Sequence, residues 1–389
     1  MNKCICCGES VWLPLKNPHK TRSITTSGVI INEKLGKAQC QYCGLVQRVY
    51  EELLANTDFY EKNYTGYYTR ISSAIYQPNR YQKLINLIVS EVHDKKIKYV
   101  LEIGCGNGSA MEEFKKVLPA VEIEGIEPSS DNANIAMNKG LTVFKQKFTK
   151  NFVSEKKYDL IYANHVIQHT TNPEDFLEAI YKNLNNEGIA IIIVNDSSFP
   201  NNELLFSDQN YSFLPENLVQ IANNVGFVIE NILTGSNKDE LLYSQMLVCR
   251  KSKINTPFFY NSSINLELLY KKRNSFLQSW EKIDEFLTHR TCFYKNVYNF
   301  GAGMYTWLTA AYCENYWKKV TKCVVDDGEG ILFDKKVEKL DLINTRQESN
   351  NNSCIVINIR ENLVCSVKKR LEYSTGMSTI AYNNFIEYK

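Results

Sequence analysis

No run of apolar residues in this sequence reaches the length needed to cross a bilayer, and its start, Met1-Asn2-Lys3-Cys4, has no signal-peptide-like apolar stretch. The expectation is a soluble, cytoplasmic protein. Charge of one sign is not in excess either: 45 Lys and Arg against 43 Asp and Glu leave +2 over 389 residues. No global field favours a polyanion, so no nucleic-acid partner is expected. In a reducing compartment the twelve cysteines read as thiols and metal ligands, not as a disulfide framework. The length suits two or three domains better than one core.

What is present starts with Val100-Leu101-Glu102-Ile103-Gly104-Cys105-Gly106-Asn107-Gly108, followed about 20 residues later by Glu127 at the end of an apolar strand. A dinucleotide site wants G-x-G-x-x-G, so that helix N-terminal amides meet a pyrophosphate. Here the third glycine comes one position early, and Ser109 stands where that pattern wants glycine. Glu102 just before the turn suits a cofactor carrying an ammonium and a sulfonium and repels a diphosphate. The motif resembles that of class I methyltransferases, with Gly104, Gly106, Gly108 and Glu102 at the methionyl end of S-adenosylmethionine. Glu127 is placed to take both ribose hydroxyls, and Asn164, after the next apolar strand, is a further cofactor contact. A helix near 131–138, strands at 141–144 and 158–163, a polar loop from Asn164 to Thr170, a helix over 173–184 and a strand at 189–194 predict a doubly wound parallel sheet.

The cysteines cluster. Cys4-Ile5-Cys6-Cys7-Gly8 and Cys40-Gln41-Tyr42-Cys43-Gly44 both read C-x-x-C-G, and two such knuckles predict one tetrahedral structural zinc held by Cys4, Cys7, Cys40 and Cys43. Cys6 is a spare thiol inside its knuckle. A redox dithiol fits poorly, because neither pair opens a helix after a thioredoxin-like strand. Downstream, Phe59-Tyr60-Glu61-Lys62-Asn63-Tyr64-Thr65-Gly66-Tyr67-Tyr68 keeps no clean period and reads as a lid or loop wall, with a packed linker as the alternative. From Pro78 to Val92 apolar positions fall at helical spacing, predicting the helix that leads into the sheet.

With these pieces placed, the chain resembles the zinc-containing C-methyltransferases that modify nucleotide-linked deoxysugars in bacterial antibiotic and surface-polysaccharide pathways. The resemblance implies an α/β protein with a zinc-knuckle module (1–58), a class I methyltransferase Rossmann-like core (59–254) and a C-terminal Rossmann-like substrate-binding domain (255–389). It also implies a nucleotide-linked sugar as acceptor. The segment Ala163-Asn164-His165-Val166-Ile167-Gln168-His169 looks like the family's strand-end motif ending in His. Two departures stand out. The family carries a His-Glu-His triplet before a Tyr-Phe pair, whereas Ser207-Asp208-Gln209-Asn210-Tyr211-Ser212-Phe213 has no histidine. Transfer to a sugar hydroxyl or amine is therefore open beside C-methylation. After the second glycine turn, Gly301-Ala302-Gly303, Thr306-Trp307 stands where the family often has a lysine.

The C-terminal part reads as a long amphipathic helix over 265–290, a βα turn at 297–306, a helix through Tyr312 and a strand at 320–325 ending in Asp326-Asp327. Gly301 and Gly303 are expected to allow close approach of the acceptor's nucleotide or phosphate; a separate dinucleotide site is the alternative. The expected reaction is direct displacement, with the protein aligning the partners, excluding water and removing one proton. Catalytic candidates are His169, Asp208, Tyr64, Tyr68 and Tyr211, with His165 also in reach. His169 leads, because imidazole titrates near neutrality while a tyrosine needs its pKa greatly lowered. An RNA methyltransferase and a non-catalytic sugar-nucleotide-binding module are the readings from other classes.

Overall fold

The computed structural model describes residues 3–49, 58–62, 77–235, 241, 243–252, 263–340 and 352–382. Three larger sheets and one two-stranded hairpin organise them. Near the N-terminus lie the strands β1 (Trp12–Pro14), β2 (Ser23–Ile24), β3 (Ile30–Ile31), β4 (Lys37–Cys40) and β5 (Val46–Arg48). The strands β2 and β3 form a separate hairpin, while β1, β4 and β5 pair antiparallel.

Beyond the short helix α1 (Phe59–Lys62) and α2 (Gln77–Ser90), the chain alternates strand and helix: β6 (Tyr99–Ile103), α3 (Ser109–Val117), β7 (Glu122–Ile126), α4 (Ser130–Asn138), β8 (Thr142–Phe144), β9 (Tyr158–Asn164), α5 (Pro173–Asn183) and β10 (Leu184–Asn195). After β11 (Tyr211–Ser212) come α6 (Pro215–Val225), β12 (Phe227–Thr234) and β13 (Ser244–Lys251). The seven-stranded sheet has the order β12-β13-β10-β9-β6-β7-β8. The five strands from β10 to β8 are parallel; β13 runs antiparallel between β10 and β12. Its strands are apolar on both faces, as a sheet covered on both sides requires. Leu160, Tyr162, Ile189, Ile191 and Ile193 pack with the helices α2, α3 and α4, while the alternate residues Ile161, Ala163, Ala190, Ile192 and Val194 pack with α5 and α6. The strand β10 starts earlier than the expected 189. Polar Asn185, Asn186 and Glu187 hide its first turn of chain, and the pairing with β9 shifts register between Leu184 and Ile189, where Glu187 takes φ 62°.

The long helix α7 (Leu266–Thr291) leads to the second α/β unit: β14 (Asn296–Phe300), α8 (Met304–Tyr312), α9 (Glu314–Lys319), β15 (Val320–Val325), β16 (Gly330–Leu332), β17 (Lys335–Lys339), β18 (Ser353–Ile357), α10 (Glu361–Thr375) and β19 (Ser378–Ile380). Its six strands follow the order β16-β17-β15-β14-β18-β19, parallel except for β16.

The three sheets do not stand apart. The strand β11, between β10 and α6 in the chain, pairs antiparallel with β5 and completes the N-terminal sheet in the order β1-β4-β5-β11. Leu15, Ile24, Leu35 and Val46 share one apolar cluster with Leu204, Leu205 and Phe206 and with residues of α7, α8 and the second sheet. The buried Arg273 of α7 donates to Gln39, to the Gly44 carbonyl and to Ser197 at 2.6–2.8 Å. A buried guanidinium is tolerated only with such partners, so this contact fastens helix, knuckle and core loop together. Among the described residues no helix is long and apolar enough to cross a membrane.

Candidate active site and metal centre

Each knuckle is closed by its glycine. Gly8 donates to the Cys4 carbonyl and Gly44 to the Cys40 carbonyl, at 2.9 and 3.0 Å, with φ of 77° and 71°. The turns bring Cys4 Sγ to 3.6 Å from Cys43 Sγ and Cys7 Sγ to 3.5 Å from Cys40 Sγ, and all four ligand atoms lie within 4.8 Å of one another. A tetrahedron with metal–sulfur bonds of about 2.3 Å has edges of about 3.8 Å, so the four thiols fit a single metal ion. Cys6 turns the other way, toward Asn217 at the start of α6.

The cofactor turn sits between β6 and α3. Gly104, Gly106 and Gly108 all adopt left-handed φ, 73°, 54° and 76°. A side chain at Gly104 would reach Val166 and one at Gly108 would reach Leu141, at 2.5 and 2.3 Å, whereas a Cβ on Gly106 meets nothing within 4 Å. That open cradle is room for a ligand. Glu127 binds the turn from β7: its carboxylate accepts from the Gly106 and Ser129 amides, each at 2.8 Å. Each carboxylate oxygen keeps a second lone pair for a hydroxyl. Burial pushes Glu127 up to about 7 against those two amides. Glu102 is also buried, and its Oε2 has no hydrogen-bond partner among the described residues. Desolvation, offset by Tyr162 and aided by the Glu127 charge, pushes Glu102 up to about 8. An orphaned carboxylate beside an open glycine turn fits the cationic end of S-adenosylmethionine. Asn164 is half-buried at the last position of β9.

Beyond Asn164, His165 takes φ 55° and its amide donates to the Ile193 carbonyl at 2.8 Å. Protein packed around its ring, with Arg80 and His169 nearby, pushes its pKa down to about 3, which keeps it neutral. The following single turn, Ile167–His169, brings His169 Nδ1 to 2.8 Å from the Asp208 main-chain carbonyl. The Tyr60 hydroxyl lies 3.0 Å from the same nitrogen and 3.2 Å from the same carbonyl. A carbonyl only accepts, so Nδ1 carries a proton and Tyr60 donates to the carbonyl. Tyr60 also packs edge-on against the imidazole.

The other candidates fall as follows. The Asp208 carboxylate is fully buried and accepts from the Thr26 amide at 2.8 Å and the Thr26 hydroxyl at 2.5 Å. Its Oδ2 stays 3.7 Å from His169 Nδ1. Tyr211 is buried, and its hydroxyl donates to the Thr171 carbonyl at 2.8 Å; burial holds its pKa above the ordinary phenol value. Tyr64 and Tyr68 lie outside the described residues. Among the described residues, Tyr60 of the same aromatic run is set against His169; the run has no period from which to rank its tyrosines.

In the second α/β unit, Gly301 has φ 113° and a side chain there would meet the Asn358 carbonyl at 2.5 Å, so the packing of β14 against β18 requires glycine. Gly303 caps α8 and faces open space. Nearby, Tyr305 receives a hydrogen bond from Asn202 of the core at 3.3 Å. Asp326, at the end of β15, is held bidentate by Arg370, and Asp327 pairs with Lys339. Neither acid is set aside for a ribose.

Residues 74–232 match the family described as a methyltransferase domain. No curated protein matches the chain. Solved structures similar to it include an S-adenosylmethionine-dependent methyltransferase from Clostridium acetobutylicum, 13% identical, covering 44% of this chain and 92% of that one at a TM-score of 0.37. The plantazolicin methyltransferase BpumL in complex with SAH is 18% identical, over 46% of this chain and 86% of that one, at 0.37. A 1,6-didemethyltoxoflavin-N1-methyltransferase from Burkholderia thailandensis is 15% identical, over 46% and 80%, also at 0.37. With the glycine turn, its two acidic strand ends and the family match falling in one unit, residues 74–232 are a class I S-adenosylmethionine-dependent methyltransferase domain.

Proposed function

We propose that the protein methylates a nucleotide-linked sugar, with His169 taking the proton from the acceptor. The observation that carries this reading is the pairing of His169: Nδ1 is committed to the Asp208 carbonyl, so the second ring nitrogen is free to accept, just beyond the strand end where ligands of α/β sheets bind. Glu102 holds the ammonium of S-adenosylmethionine and Glu127 its ribose. When bound, that cofactor supplies a methyl group made electrophilic by its sulfonium, which leaves with the electron pair of the broken carbon–sulfur bond. The chain aligns the acceptor, excludes water and receives one proton at His169 Nε2. Gly303 receives the nucleotide's phosphates at the start of α8, while Gly301 holds the turn that presents it. Zinc at the four cysteines supports the fold, since four thiolates leave no open position for a substrate.

Transfer to a sugar oxygen or nitrogen is the second reading. It is favoured by the engagement of Asp208 with Thr26 and by the lack of any histidine between Ser207 and Phe213, which leave one base beside the acceptor. Incubation with S-adenosylmethionine and a panel of nucleotide sugars, read by mass spectrometry for one added methylene, tests the proposal. His169→Asn is expected to lower turnover about a hundredfold with cofactor affinity unchanged. Methylation of RNA instead, or sugar-nucleotide binding without turnover, overturns it.

A further inference from the structure

We propose that Thr26, at the tip of the N-terminal hairpin, is a positioning residue: it holds the Asp208 carboxylate away from His169, so that the Asp208 carbonyl takes Nδ1–H and Nε2 stays unprotonated. The inference rests on the reading of His169 as the base, but its geometry stands by itself. The hairpin is laid along the catalytic loop: Ile24 bridges Phe206, and its carbonyl accepts from the Ser207 amide at 2.9 Å and the Ser207 hydroxyl at 3.2 Å. That alignment sets Thr26 opposite Asp208. The tip itself is braced, with Thr25 donating to Val29 at 2.9 Å, Gly28 to Thr25 at 3.0 Å, and Gly28 lying flat on Trp307, where an added Cβ would sit 3.1 Å from the indole.

Asp208 therefore presents two acceptors near one ring nitrogen. Its carbonyl lies 2.8 Å from His169 Nδ1 and its carboxylate 3.7 Å away. A carboxylate outcompetes a carbonyl for an N–H when both can reach it, because the charge-assisted bond is about twice as strong. Each carboxylate oxygen instead takes one hydrogen bond from Thr26, and this pair of bonds orients the group with Oδ2 3.7 Å from Nδ1. Lys37, whose ammonium donates to the Glu203 carbonyl at 2.9 Å, is the buried cation facing Asp208; Tyr312 is near as well, and His165 and Tyr60 face His169. Buried Arg48 lies in the same charged group, beside Lys37 and Tyr312. The two bonds from Thr26, one on each oxygen, orient the Asp208 carboxylate beside the imidazole.

The test uses full-length protein labelled with nitrogen-15 in its five histidines, with His169 assigned through His169→Asn. Wild type is expected to show His169 as the Nδ1–H tautomer. In Thr26→Val the amide still holds Oδ1, but Oδ2 loses its hydroxyl donor and swings to Nδ1, and the Nδ1 proton resonance moves downfield; Thr26→Ser restores the wild-type position. In an Asp208→Asn background Thr26→Val moves nothing, because no carboxylate remains to swing, and that double-variant cycle separates positioning from a general loosening of the hairpin. An unshifted His169 resonance in folded Thr26→Val overturns the proposal, as does an equal shift with and without Asp208. Failure of Thr26→Val to fold leaves Thr26→Ala as the second variant with the same expectation. Normal methyl transfer by His169→Asn would sink the base assignment and leave these spectra standing, so the two ideas fail separately.

Discussion

Binding of S-adenosylmethionine should expel a proton, and the affinity should climb as pH rises from 6 to 7. Glu102 is buried with Oε2 unpartnered, and its carboxyl is pushed up to about 8. The ligand's ammonium favours the ionised form, so the ligand-free protein must first lose a proton. With a pKa of about 8, roughly one site in a hundred is ionised at pH 6 and about one in eleven at pH 7, a gain of about ninefold in affinity, or close to 1.3 kcal/mol. Glu127, at about 7, steepens the rise if its ribose contact also needs charge. Above roughly pH 7.5 the ligand's own amine starts to deprotonate, so the window ends there. Calorimetry in buffers of different ionisation enthalpy reads both the affinity and the proton count, and Glu102→Gln isolates the contribution of Glu102. Affinity that is flat from pH 6 to 7, or a slope that survives unchanged in Glu102→Gln, would refute the assignment. The same shifts act on folding in the opposite sense. Both carboxyls have folded values above the ordinary 4.5, so their stabilising contribution is complete below about 4.5 and is lost as pH rises through about 7 and 8. Ligand-free protein should melt at lower temperature at pH 8 than at pH 5.5, and saturating cofactor should narrow the gap.

Glu127→Ala should weaken S-adenosylmethionine binding by about tenfold or more, since each charge-assisted hydrogen bond contributes about 1.5 to 3 kcal/mol and the Gly106 amide loses its anchor as well; calorimetry at fixed pH decides it. Elemental analysis should find one zinc per chain in protein purified without chelator, and its removal should lower the melting temperature and loosen residues 3–49 to proteolysis. Gly303→Glu, which sets a carboxylate where a pyrophosphate is expected, should raise KM for the nucleotide sugar about tenfold, a loss of about 1.4 kcal/mol, with cofactor affinity unchanged.

The cofactor turn is legible in the sequence because its chemistry is local: three glycines, Glu102 and Glu127 fall within one βαβ unit, beside short apolar strands. The two C-x-x-C-G knuckles are legible for the same reason, although only the fold shows Cys6 turned to Asn217. What is not legible depends on distant contacts. Asp208 reads as a free acid in a polar loop until Thr26, far away in sequence, closes on both its oxygens. Tyr60 is indistinguishable from its neighbours until the fold sets it on His169. Gly301 and Gly303 look alike, yet one is demanded by the Asn358 backbone and the other faces open space. The start of β10 is hidden because a register shift carries polar residues through a strand.

The strand exchange between Tyr211–Ser212 and β5 bears on the order in which this chain is made. The N-terminal sheet emerges from a ribosome with one edge still waiting for a partner that is encoded only after all five parallel strands of the larger sheet, and an unpaired edge is a hazard for wrong association. Metal captured early by the cysteines would hold that edge in shape through the interval. A shortage of zinc during synthesis should therefore harm yield more than the same metal removed from finished protein harms stability.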